Sequence, residues 1–260
     1  MINKLSNHLD QALCGQLTEK QKALLLKDSV YFGEAYPLKA ELKTRDLLET
    51  YKLELNPVRF HENWIKMYSV GSSSRLCYLH FRNDPQVQFE YQLGICEKVY
   101  AHYDAFDPKN HVYYECKYHE IAANHRKNLK EWAYRPFLEK LGITVNQVSD
   151  GFLIPKFTEF GIYDFGDEKD IYSIHFDFKQ LITHISGMIN QNINGKLNYI
   201  FFTPDIAYNG TDKIIDKLYS ELKTEVAAIE KSGFVRNLKE YGIELAFGYC
   251  PVSKFVIELV

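Results

Sequence analysis

The chain contains no apolar run near the roughly 18 residues that a membrane-spanning helix requires, so no such helix is predicted. Cysteine is scarce. There are five, an odd number with no Cys-x-x-Cys spacing, which predicts reduced thiols in a cytoplasmic protein rather than a disulfide framework. Excess charge of one sign is missing too: 31 Lys and Arg nearly balance 34 Asp and Glu, leaving −3. Any nucleic-acid contact must then come from a local basic surface and not from a global field. The first residues, Met1-Ile-Asn-Lys-Leu-Ser-Asn-His8, are polar, unlike a signal peptide. Also absent are a GxxxxGK[ST] phosphate loop, a GxGxxG after a strand, a GxSxG elbow and an HExxH helix. Without the first, the chain does not power its own translocation. There are no repeats and no low-complexity segments.

What is present is an ordinary globular composition, 46% hydrophobic and 25% charged over 260 residues, enough for one large or two small domains with a sizeable core. The 15% aromatic share, with 19 Tyr, favours a β-containing fold. The organisation predicted is one domain spanning 1–260: a helical N-terminal extension over 1–70, a core over 72–203, and a C-terminal helix and strand over 204–260. Leucines at helical spacing from about 17 to 53, interrupted at Tyr36-Pro37, predict two or three helices, and Glu62 to Met67 continues that style. Ser72-Ser-Ser74 offers an N-cap to a short helix ending at Phe81. Gln86 to Gly94 alternates as a strand. Beyond the next two strands, helices are expected over Asn124–Leu141 and Phe176–Asn190, with a long loop over about 149–171 between them. A strand over Leu197–Thr203, a helix over Asp212–Lys231 and a strand over Glu244–Tyr249 complete the order.

Chemistry concentrates in one hairpin. Val99-Tyr-Ala-His-Tyr-Asp104-Ala-Phe and Val112-Tyr-Tyr-Glu115-Cys-Lys117-Tyr-His-Glu120 are rich in β-branched and aromatic residues, and Asp107-Pro-Lys-Asn110 punctuates the gap. Alternation puts Glu115 and Lys117 on one face with Tyr113, and Asp104 lies near the end of the strand before. Two carboxylates and an ammonium can therefore meet in one small volume. Glu-x-Lys also occurs at Glu41–Lys43 and Glu221–Lys223, in stretches of helical period that read as solvated faces.

Asp104, ten intervening residues, then Glu115-Cys-Lys117, within an αβββαβ order, resembles the PD-(D/E)xK superfamily of restriction-endonuclease-like nucleases. The resemblance covers roughly residues 72–203. Ser73-Ser74, Phe89-Glu90, Glu120 and Gln180-Leu-Ile-Thr-His184 are similar to a bacterial restriction-endonuclease-like branch of it. It departs in one place: Tyr103, not proline, precedes Asp104, and Asp107-Pro108 has the reverse order. The resemblance implies an α/β fold with a restriction-endonuclease-like αβββαβ core, a mixed central sheet flanked by helices. It implies hydrolysis of phosphodiester bonds, of DNA foremost, in restriction, defence or repair. Asp104, Glu115 and Glu90 would ligate Mg²⁺ or Mn²⁺, Lys117 would orient or help deprotonate the attacking water, and Gln180 would complete the catalytic set. Cutting both strands of a duplex with one site per chain would call for a homodimer.

Elementary chemistry supports these roles. A phosphodiester repels hydroxide, and a hard, oxygen-ligated cation neutralises charge and supplies a nucleophile near neutral pH. Two carboxylates about 4 Å apart repel by about 4 kcal/mol at an effective dielectric near 20, so a cation or Lys117 must stand between them. Other readings stand beside these. Glu115 and Lys117 also fit the solvent face of an antiparallel sheet, Asp104 a strand-end turn, Glu90 plain alternation, and Glu120 and Gln180 structural roles. His184 fits a satisfied core histidine or a phosphate contact. His111, Cys116, His119 and His125 cluster but match no common zinc spacing. The run His125-Arg126-Lys127-Asn-Leu-Lys130 fits a phosphate-tracking surface or a solvated helix face. The reading opposed to a nuclease is a catalytically inactive nuclease-like binding or scaffold protein.

Overall fold

The computed structural model describes residues 2–27, 29–33, 36–58, 61–122, 125–126, 131–143, 171–173, 175–204 and 213–252. The N-terminal segment contains α1 (Ile2–Gln16), α2 (Glu19–Lys22) and α3 (Leu38–Thr44). A two-stranded hairpin follows, β1 (Pro57–Val58) and β2 (His61–Ile65), and then a 3-10 turn at Lys66–Tyr68. This corrects the expectation of an all-helical extension over 1–70. Glu62 to Ile65 lies in a strand, because Pro57 ends any helical run and Pro57–Val58 provides a pairing edge. Helix α1 falls within the expected helical extension, ahead of the leucine spacing that begins near residue 17.

Helix α4 (Ser73–Phe81) begins where Ser72 accepts a hydrogen bond from the Arg75 amide at 3.3 Å. Strands β3 (Gln88–Cys96), β4 (Val99–Asp107) and β5 (Val112–Lys117) form an antiparallel meander. The turn before β5 is built as its composition predicts. The Asp107 carboxylate accepts from the amides of Lys109 (2.9 Å) and Asn110 (3.2 Å) and from the Asn110 side chain (2.6 Å).

Next come a short strand β6 (His125–Arg126), helix α5 (Glu131–Lys140) and β7 (Ile171–Ser173), which pairs with β6. Of the helix expected over Asn124–Leu141, Glu131–Lys140 is helical, whereas His125 and Arg126 pair as a strand with β7. Most of the expected 149–171 loop, and Lys127 and Lys130 of the basic run, lie outside the described residues. Helix α6 (Phe178–Asn190) is capped by Asp177, which accepts from the Gln180 amide at 3.0 Å. Strand β8 (Gly195–Thr203), helix α7 (Lys213–Lys231), helix α8 (Gly233–Leu238) and strand β9 (Ile243–Pro251) close the order.

The main sheet is five-stranded, mixed and open, in the order β3-β4-β5-β8-β9, with β8 parallel to both neighbours. β8 is the apolar run Leu197–Phe202, as expected of a strand walled by parallel partners and covered on both faces. Helix α4 packs on β4 and β5 from one side, and α6 packs on β3 and β4 from the other. The fold class is therefore α/β, with a mixed central sheet between helices.

One irregularity positions the site. Phe89 pairs with Ala105 and Tyr91 with Tyr103, but Glu90 between them has φ of 52°. Phe89 then packs on Tyr51 and Tyr78 on the α4 side, whereas Tyr91 packs on Phe106 and Tyr113 on the other. Regular alternation would have kept both on one face, so a local irregularity turns the strand over. β4 makes the matching adjustment between Tyr103, stacked on His184, and Phe106, stacked on Tyr113. Glu90 and Asp104 sit at the two places where alternation resets.

Candidate functional site

The site is assembled from β5, β4 and the first turns of α6. Tyr113, Glu115 and Lys117 share the β5 face that meets α6, and Cys116, fully buried, faces α4. Glu115 and Lys117 are buried, at 2% and 9% exposure, so the solvent-face reading of this pair fails. The Lys117 ammonium donates to Glu115 Oε1, which also accepts from Gln180 Nε2 at 2.7 Å. Gln180 is one turn into α6, where the Asp177 cap fixes the helix start, and this is how a residue distant in sequence reaches Glu115.

The second oxygen of Glu115, Oε2, is buried with no hydrogen-bond donor among the described residues. His184 Nε2 lies 3.4 Å away but does not fill that role. Its Nε2 is 2.8 Å from the His102 carbonyl, which can only accept, so Nε2 carries its hydrogen there. Nδ1 then accepts from the Tyr199 hydroxyl at 2.8 Å. Burial pushes the imidazole down to about 3, so it is neutral. His184 is a satisfied core histidine, stacked on Tyr103, whose hydroxyl donates to the His184 carbonyl at 2.6 Å.

Asp104 Oδ2 accepts the Cys116 amide at 2.6 Å, which ties it to the strand carrying Glu115 and Lys117. Burial, and then the charge of Glu115, push its carboxyl well above the ordinary range. Glu115 is likewise raised by burial, against the pull of Lys117. Glu90 is pushed up to about 8 by burial, by Asp104 and by Glu54. Burial alone would lower the Lys117 ammonium, but Glu115, Glu120 and Asp104 outweigh it and hold it protonated above its usual value.

Glu120 belongs to the turn after β5. Its Oε2 accepts from Ser73 Oγ at 2.5 Å and from the Tyr118 amide at 3.2 Å. Against burial, Lys117 and Ser73 keep its carboxyl low. Ser73 and Glu120, both singled out in the sequence, meet here as a bond between α4 and this turn. The turn is fastened from outside as well: Tyr118 donates to the Leu9 carbonyl at 2.7 Å, and His119 meets Asp10 at 2.5 Å.

The structure thus brings together Asp104, Glu115, Lys117 and Gln180, with Glu90 and Glu120 at the flanks. Three of the zinc candidates do not converge: Cys116 is in the core, His119 pairs with Asp10, and His111 is exposed in a turn, while the side chain of His125 lies outside the described ones. Among the described residues no group of three or more His, Cys, Asp or Glu side chains stands ready to hold a metal ion. Sequence reasoning missed Tyr51 and Glu54, which approach Glu90 from the N-terminal segment. No local pattern at those positions marks them. No protein-family model matches the chain, and searches of curated proteins and of solved structures find no match.

Proposed function

We propose that the chain is a divalent-cation-dependent nuclease of the restriction-endonuclease-like kind, hydrolysing phosphodiester bonds of DNA in restriction, defence or repair. The observation that carries this reading is the excess of carboxylate over cation around β5. Asp104, Glu115 and Glu120 act on the ammonium of Lys117, Glu90 lies within reach of Asp104 and Glu115, and Glu115 Oε2 is buried with no donor among the described residues. Unpaired buried carboxylate is costly unless a cation completes it. The donors are all hard oxygens, which fit Mg²⁺ or Mn²⁺. Mg²⁺ needs only one or two carboxylates and keeps several waters, so a three-ligand protein cage is not a requirement.

In this reading Asp104 and Glu115 hold the cation and Glu90 supports it or a water beside it. The bound ion supplies charge neutralisation at the phosphate and an acidified water. Lys117 is protonated, so it donates to and orients that water or a phosphate oxygen and does not accept its proton. Gln180 fixes Glu115 Oε1 and leaves Oε2 for the ion.

The second reading, a catalytically inactive nuclease-like scaffold, is favoured by the missing three-ligand group among the described residues. It gives no reason for an uncompensated carboxylate oxygen at a satisfied pair. The test is cleavage of supercoiled plasmid and of single-stranded DNA with Mg²⁺ or Mn²⁺, wild type beside Asp104→Asn. Cleavage that needs the ion and vanishes in a folded Asp104→Asn is expected. Equal cleavage by both proteins excludes the assigned site.

A further inference from the structure

Tyr51 is 1% exposed, yet its hydroxyl has no hydrogen-bond partner among the described residues. A buried tyrosine O–H ordinarily finds an acceptor, and leaving it unpartnered is unfavourable. The ring is held firmly. It packs edge-on against Tyr78 at 6.1 Å and at a tilt against Phe89 at 5.9 Å, on the α4 side of the sheet. Phe89 immediately precedes Glu90 and pairs with Ala105, which immediately follows Asp104. The ring therefore stands over the place where both strands reset their alternation. Burial raises the Tyr51 hydroxyl, and the thiol of Cys77 and the carboxylates of Glu90 and Asp104 raise it further, as neighbours within electrostatic reach do. Three residues further on, another carboxylate joins the same corner: Glu54 sits beside Glu90, one oxygen on Lys66 at 2.7 Å and the other buried with no donor among the described residues.

We infer that the Tyr51 hydroxyl is a further positioning group of the candidate site, donating its hydrogen to an oxygen ligand that Glu90 and Asp104 share. Such a ligand is a water of the divalent cation's hydration shell. The N-terminal segment is then part of the site and not an accessory to it. This rests on the nuclease reading for its cation, though not for its chemistry.

The test compares wild type with Tyr51→Phe, which removes only the oxygen, in two measurements that need no substrate. Thermal unfolding in EDTA reads the empty protein, and titration calorimetry with Mn²⁺ reads the site. An orphaned hydroxyl stabilises nothing, so Tyr51→Phe is expected to unfold at the same temperature or higher. Its Mn²⁺ affinity should fall roughly tenfold, as loss of one hydrogen bond to a charged centre implies. A purely structural hydroxyl would give the opposite pair, a lower unfolding temperature with unchanged Mn²⁺ binding, and would overturn the inference. Unchanged values of both, in a protein that binds Mn²⁺ and cleaves DNA, would overturn it and leave the nuclease reading standing. Failure of wild type to bind Mn²⁺ at all would overturn both.

Discussion

Replacing Glu90 by Gln should make the metal-free protein more stable, and the gain should depend on pH in a defined direction. The folded protein holds this carboxyl at about 8, through burial, Asp104 and Glu54, whereas an unfolded chain ionises it near 4.3. Between those values the folded state binds more protons than the unfolded one. Stability from this group is therefore full below about 4.3 and lost as pH rises towards 8, by up to about 1.4 kcal/mol per pH unit. The full shift would correspond to about 5 kcal/mol. Glu90 is half-buried, and screening by solvent reduces this to about 2–3 kcal/mol. Gln has the same shape and tolerates φ of 52° no better than Glu, so backbone strain cancels in the comparison. Urea denaturation in EDTA should find the two proteins equal near pH 5 and the variant more stable by about 2–3 kcal/mol near pH 8.5. Parallel curves across that range, or a variant less stable at the alkaline end, would refute the account of a crowded carboxylate site.

Two further outcomes follow from the packing. Gly187→Ala in α6 would place a methyl 2.8 Å from the Ala101 Cβ and 3.2 Å from the Leu93 Cβ, so it should lower stability by about 2 kcal/mol in urea denaturation. Gln180→Ala removes the 2.7 Å bond that fixes Glu115 Oε1. At about 1–1.5 kcal/mol for the bond, single-turnover cleavage should slow roughly tenfold with little change in DNA binding.

The elements legible in the sequence are those with clean periodicity or clear punctuation. The β4–β5 hairpin, the Ser72 cap, α6 and β8 fall close to where pattern and turn chemistry put them. Glu62–Ile65 departs from the helical expectation because four residues cannot separate a helical from an extended period, and tertiary pairing decides. The meeting of Asp104, Glu115 and Lys117 could be read from strand alternation. Their burial could not, since it depends on α6 covering that face. The reversal at Glu90 was also invisible: strict alternation had predicted a regular strand, and a left-handed residue there follows from pairing with β4 rather than from local preference. Tyr51 carries no signal at all in its neighbourhood. It enters through the packing of the N-terminal segment on Phe89.

The central claim, that the ammonium and carboxylates of β4 and β5 are the working parts of a nuclease, is tested most directly by Lys117→Met. The measurement is conversion of supercoiled plasmid to nicked and linear forms in Mn²⁺, with circular dichroism confirming that both proteins are folded. The account predicts cleavage by wild type that EDTA abolishes and that Lys117→Met lacks. Cleavage by folded Lys117→Met at the wild-type rate would contradict it.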